Sequence, residues 1–226
     1  MTVRSERRLV AGPVGQIEVA LDWPDAASPL GVAHIAHPHP LYGGSLDNKV
    51  VSTLARAFCA LGWLAVRSNF RGVGATEGQH DGGPGELADL LHLIEVPWLS
   101  DPAPARAAPI ALAGFSFGSF VVTQAAAELQ RRAIPVRHLI LVGTAAGKWP
   151  IPAVDPATLV IHGELDETIP LADVFVWART CEVPVVVVPE TDHFFNRRLL
   201  ILKQLVTRHL LGAEAESHRR SDRGTQ

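Results

Sequence analysis

Short apolar, β-branched runs alternate along this chain with longer segments whose apolar residues recur at helical spacing. Runs that are apolar on both faces need cover on both sides, and helices in crossover connections supply it. The pattern therefore predicts an α/β fold: a mostly parallel, twisted sheet of about seven or eight strands with helices on both faces. The expected strands are residues 14–21, 31–36, 63–68, 109–113, 137–142, 158–161 and 184–188. Helices are expected over 47–61, 84–95, 117–132, 171–180 and 196–211. In the first of these, Val50, Leu54 and Phe58 recur every fourth residue, and Pro84 and Pro170 suit first-turn positions. Residues 101–109, rich in Pro and Ala, read as a connecting loop. Residues 212–226 are polar and aperiodic and read as a disordered tail behind a single domain, 1–211.

With 226 residues, 47% of them hydrophobic, the chain can bury one large core. A formal net charge of −3 without a long basic run argues against a nucleic-acid partner. Arg4, Arg7 and Arg8 near the start are not followed by an apolar stretch, and no run is long enough to span a bilayer, so a cytoplasmic protein with no membrane partner is expected. Cys59 and Cys181 lack Cys-x-x-Cys or metal-ligand spacing and read as free thiols, neither of them a nucleophile.

The apolar run ending at Ala113 leads into Gly114-Phe115-Ser116-Phe117-Gly118, and an amphipathic segment follows. Gly-x-Ser-x-Gly between a strand and a helix is the pattern of a nucleophile carried on a sharp turn. Glycines two positions away remove side chains where strand and helix pass closely. The helix N-terminus then directs free N–H groups to the place where an oxyanion would form. Ser116 is the candidate nucleophile.

A serine on such a turn needs a base and an acid from later strand ends, in the order serine, acid, histidine. Among the ten histidines, His193 fits, in Thr191-Asp192-His193-Phe194-Phe195 just past the Val185–Val188 run. His162, upstream of the acid, reads as structural. Asp166 lies several residues beyond the strand that ends near His162, and a short carboxylate there could orient the imidazole; Glu164, Glu167 and Asp192 compete for that role. One oxyanion donor should be the N–H of Phe117. The other should come from His37-Pro38-His39-Pro40-Leu41-Tyr42-Gly43-Gly44, where the two prolines have no N–H to give. His39, Leu41, Tyr42 and Gly43 remain, and the spacing of His-Gly-x-x-Gly loops selects Leu41. His37 and His39 form a His-x-His pair, but no third ligand is evident, so no metal is expected and hydrogen bonding within the loop is the favoured role.

Taken together, these residues resemble the small, lidless bacterial α/β-hydrolases that carry His-Pro-His-Pro-Leu-Tyr-Gly-Gly. Those proteins also carry Asn-Phe-Arg-Gly-Val-Gly, here residues 69–74, then Gly-Phe-Ser-Phe-Gly, a His-Gly-Glu-x-Asp-Glu acid loop and a final Asp-His-Phe-Phe. The match runs from about Gly31 to Leu211. The group is similar to carboxylesterases and dienelactone hydrolases, although the latter use cysteine where this chain has Ser116. The resemblance implies the α/β-hydrolase fold, a Ser116–His193–Asp166 triad and no cofactor.

Only residues 144–155 separate the fifth expected strand from the sixth, too few for a cap. An open pocket walled by Tyr42, Phe115, Trp149 and Phe194 is expected, suited to a small-molecule ester of short or medium acyl chain and cleaved through an acyl-enzyme. A peptidase or thioesterase on the same triad, or a hydrolase-like scaffold that only binds, are the alternatives. Arg71 could hold a substrate carboxylate, but a salt bridge that fixes its turn is the favoured reading.

Overall fold

The computed structural model describes residues 4–26, 28–98 and 108–223, with side chains through residue 215. Eight strands form one sheet: β1 (Arg4–Ala11), β2 (Gln16–Trp23), β3 (Val32–Ala36), β4 (Leu64–Ser68), β5 (Ile110–Phe115), β6 (Val136–Val142), β7 (Leu159–Gly163) and β8 (Val185–Val188). Their order is β1-β2-β4-β3-β5-β6-β7-β8. β1 and β2 run antiparallel, and all pairings from β4 through β8 are parallel.

β3, β4 and β7 are buried at every position, their few polar side chains, His34, Arg67, Ser68 and His162, included. Helices α1 (Lys49–Cys59) and α5 (Leu199–Arg223) cover one face, where Val50, Leu54 and Phe58 meet Leu202, Val206 and Leu210 over Ile35, Ala113 and Ile161. Helices α2 (Pro84–Glu95), α3 (Phe117–Arg131) and α4 (Leu171–Thr180) cover the other. There Leu90, Val121, Ala125 and Val174 pack on Leu112, Leu141 and Val160. Leu112 and Ala113 thus serve opposite cores, the two-residue alternation of a strand.

Two expectations fail. β1 was not foreseen, because none of its residues is buried: it pairs with β2 along one edge, its Arg7 bound to Glu18 and Asp47. A strand held by its ladder and by ion pairs leaves no hydrophobic period to read. The period read from sequence also ends α5 too early: the helix continues past residue 211 to Arg223. The amphipathic turns before it nucleate that helix, and Glu214 holds it to the sheet through Arg137 at 2.6 Å. Most of the expected loop 101–109 lies outside the described residues.

Because β3 to β8 are parallel, their carboxyl ends share one edge. The register places Ala36 beside Gly114 and Phe115 beside Val142. Every segment singled out above for chemistry leaves the sheet at that edge.

Candidate active site

Between β5 and α3 the chain turns at Ser116 with φ 54° and ψ −122°, a conformation that costs an L-residue of the order of 1–3 kcal/mol. Neighbouring bonds hold it there. Its N–H donates to the Val142 carbonyl at 2.9 Å, and the Ser119 N–H and hydroxyl donate to its carbonyl at 2.8 and 2.6 Å. The Ala145 N–H donates to the same Ser119 hydroxyl at 3.0 Å, tying α3 to the loop after β6. Composition gave no signal for Ser119, although a hydroxyl three residues into an elbow helix is placed to reach back to the turn.

Both glycines of the motif are required by space. A Cβ on Gly114 would lie 2.4 Å from the Gly118 carbonyl oxygen, and one on Gly118 would lie 2.3 Å from the Ala36 oxygen. Backbone cannot yield as a flexible side chain does. Gly118→Ala is therefore expected to destabilise the fold by about 3 kcal/mol or more, read as a lowered denaturation midpoint; an unchanged midpoint would refute the close approach of α3 to β3.

His193 lies on the loop between β8 and α5, and Asp166 on the loop between β7 and α4. These loops touch: the Leu165 N–H donates to the Thr191 carbonyl at 2.9 Å, and a Cβ on Gly163 would meet that oxygen at 2.4 Å. The contact brings His193 Nδ1 within 2.7 Å of Asp166 Oδ2, with both residues buried. Asp166 Oδ1 accepts the N–H groups of Thr168 and Ile169 at 2.9 and 2.7 Å. The competing carboxylates are directed elsewhere. Glu164 accepts the Glu190 N–H at 2.9 Å, Asp192 binds Asn196 through its backbone N–H and side-chain amide at 3.0 and 2.7 Å, and Glu167 is exposed.

The imidazole of His193 faces Gly143, where a Cβ would lie 3.2 Å from its Cε1. Ser116 is bonded to the preceding residue, Val142, so serine and histidine flank one short stretch. Among the described residues the Ser116 hydroxyl has no hydrogen-bond partner; resting sites of this kind commonly tighten only around substrate.

Two predicted roles change. The Leu41 N–H, in the single 3₁₀ turn Pro40–Tyr42, is taken by His39 Nδ1 at 3.3 Å, and its side chain is 72% exposed. The His39 N–H has no partner among the described residues, and its ring lies 5.0 Å from that of Phe117. Phe117, as the first residue of α3, has no carbonyl one turn back to bond its own N–H. The N–H groups of Phe117 and His39 thus have no partner among the described residues, whereas that of Leu41 is engaged within its own turn. Phe115 is fully buried, its ring 4.9 Å from that of His193, so it backs the imidazole and does not wall a pocket. Tyr42 and Phe194 stand at the rim, 86% and 51% exposed, and half-buried Trp149 packs on Phe117 at 4.8 Å.

His37 accepts the Phe70 N–H at Nε2 (2.9 Å), so its proton sits on Nδ1 and is donated to the Pro38 carbonyl at 2.6 Å. It ties the loop after β3 to the one after β4. In the latter, Arg71 makes a two-pronged bridge to Asp89, 2.8 Å at each contact, as the turn-fixing reading expects. Among the described residues no three His, Cys, Asp or Glu side chains are grouped to hold a metal. Both cysteines are free, and burial pushes the Cys59 thiol up to about 12.

Burial pushes His37 down to about 4 and His34, inside β3, to about 3, against 6.5 for a free imidazole. Below pH 6.5 the unfolded chain takes up protons that these residues refuse when folded. Their contribution is complete above that value and declines as the pH falls toward 4. From pH 7 to 5 the two lose about 4 kcal/mol together, or roughly 10 °C in Tm for a domain of this size. Thermal melts across that range test it, and a flat profile would contradict the burial of neutral imidazoles.

The profile of the X-Pro dipeptidyl-peptidase (S15) family matches residues 16–136, more than half of the chain and including the Ser116 turn. The chain belongs to this family. Within it, this S15 member is similar to an α/β serine hydrolase without lid from Xanthomonas campestris, 36% identical, with 93% of this chain and 95% of that one covered at a TM-score of 0.80. It is also similar to an α/β serine hydrolase homologue from Coxiella burnetii, 37% identical with 91% and 97% covered and a TM-score of 0.79. An uncharacterized protein of Rickettsia prowazekii is 27% identical over 221 residues, 92% of this chain and 89% of its own. Among the described residues of this S15 member, the stretch 143–158 between β6 and β7 holds neither helix nor strand, and so no cap. Among its described residues no helix is long and apolar enough to cross a membrane.

Proposed function

We propose that the protein is a cytoplasmic serine esterase that cleaves carboxylic esters of short or medium acyl chain. What carries this reading is the buried 2.7 Å pair of Asp166 and His193 at the sheet edge that also bears the strained Ser116. In this mechanism His193 Nε2 removes the proton of Ser116 as its oxygen attacks the ester carbonyl. Asp166 holds the Nδ1–H tautomer and stabilises the imidazolium, and the N–H groups of Phe117 and His39 receive the oxyanion. The alcohol departs with the proton from His193. Water, deprotonated by the same ring, then releases the acid and restores Ser116.

The open rim supports esters of modest size. An activated ester needs little remote binding, whereas a long acyl chain needs an enclosing channel and an amide needs distant contacts to lower a higher barrier. The free thiols Cys59 and Cys181 support a reducing compartment.

One observation favours a second reading: the matching family is named for release of X-Pro dipeptides. p-Nitrophenyl acetate, butyrate and palmitate assayed beside alanyl-prolyl p-nitroanilide separate the two. The esterase reading expects kcat/KM to fall by about tenfold or more from butyrate to palmitate, with no anilide cleavage. Efficient release of the anilide with weak ester turnover would establish the peptidase.

A further inference from the structure

β7 carries one polar side chain into the space between the two cores, His162, fully buried and paired in register with Val187 of β8. A valine or isoleucine would suit such a position. The imidazole remains there although its Nδ1 has no hydrogen-bond partner among the described residues. Its other nitrogen has two neighbours. Nε2 lies 2.9 Å from the Ile169 carbonyl oxygen and 3.3 Å from Asp166 Oδ2, the same oxygen that takes the Nδ1–H of His193.

A carbonyl only accepts, so the single proton of His162 sits on Nε2 and is donated to Ile169, with Asp166 Oδ2 beside it at 3.3 Å and attracted through charge. A second proton on Nδ1 would face no acceptor. Burial, the largest influence, holds the ring below the usual imidazole range, with His193 adding to that effect and the Ile169 carbonyl and Asp166 opposing it. Asp166 and His193 are the titratable groups that act on the ring, one from the loop after β7 and one from the loop after β8. His162 therefore stands against Asp166 as a neutral ring.

We propose that His162 is a positioning residue for hydrolysis: its N–H fixes the far end of the acid loop at Ile169, whose own N–H donates to Asp166 Oδ1, and its ring stands against Oδ2, so that Oδ2 meets His193. This rests on the reading of Asp166 as the triad acid. Oδ1 is held by two backbone N–H groups and Oδ2 by the His193 ring, with the His162 ring standing 3.3 Å from the same oxygen, so the carboxylate has little freedom to turn. Without His162 the loop keeps its backbone bonds to Oδ1, but Oδ2 has only His193, and the carboxylate and ring can move together away from Ser116. A displacement near 1 Å at a reacting group is sufficient to cost about a hundredfold in rate.

The test is turnover of p-nitrophenyl acetate by His162→Phe, His162→Gln and His162→Asn, each checked for folding by circular dichroism. Glutamine can place an N–H near the position of Nε2, whereas asparagine reaches only that of Nδ1. His162→Phe is expected to lower kcat by about 10- to 100-fold with KM within about twofold. His162→Gln should stay within about threefold of the parent, and His162→Asn should behave as His162→Phe. If the phenylalanine variant does not fold, the contrast between glutamine and asparagine decides. Equal impairment of Gln and Asn would overturn the proposal in favour of packing alone, and unimpaired folded variants would overturn it outright. Asp166→Asn in the same assay separates the premises: normal turnover there removes the triad itself, whereas loss there with normal His162 variants removes only the role of His162.

Discussion

Ser116→Ala is expected to lower kcat for p-nitrophenyl acetate by at least about 10⁴-fold, and by as much as about 10⁶, while Tm stays within about 2 °C of the parent. The rate falls because the nucleophile is lost: Ser116 sits on the strained turn bonded to Val142, next to the Gly143 that the His193 ring faces. Stability is retained because the Ser116 hydroxyl has no partner to lose among the described residues, and its backbone is held by bonds from Ser119 and Val142 that alanine keeps. The positive φ is no harder for alanine than for serine. Substantial turnover in the alanine variant would place the chemistry elsewhere.

Asp166→Asn is expected to cost about 10⁴-fold in kcat, with little change in KM. The amide has almost the shape of the carboxylate, and its oxygen can still accept the N–H groups of Thr168 and Ile169 at the Oδ1 position. Its NH₂ group would then face Nδ1 of His193 where Oδ2 stood. Two donors cannot pair, so the imidazole must move its proton to Nε2, the nitrogen that has to accept from Ser116. The base is thereby removed without emptying its place. A loss much below about tenfold, in a folded variant, would mean that Asp166 merely shapes its loop.

The parts of this fold that bury apolar surface were legible in the sequence, and the parts held by hydrogen bonds and charge were not. β3 to β8 and the five helices announce themselves because each must cover a core. β1 carries arginines and glutamate at an edge, and residues 212–223 extend a helix with polar side chains, so neither has a period that distinguishes it from loop. At the site, glycine spacing and strand ends constrain where Ser116, Asp166 and His193 can lie, which is why their positions at one sheet edge could be anticipated. The engagement of the Leu41 N–H within its own turn was not legible, because an amide's direction depends on the turn, and Pro38 and Pro40 replace the glycine geometry on which the rule depends. Phe115 was taken for a pocket wall because strand alternation does not tell which of two covered faces a side chain joins. His162 looked structural from sequence, since its tie to Asp166 crosses a loop whose path no periodicity predicts.

The central claim is that Ser116 is activated by His193 at the sheet edge. Labelling with a fluorophosphonate, followed by mass analysis of the digested protein, tests it most directly. The account predicts one adduct per chain, on the peptide that contains Ser116, formed rapidly in the parent and at least about a hundredfold more slowly in His193→Ala. An unlabelled Ser116 in folded protein, or labelling at the same rate without His193, would contradict it.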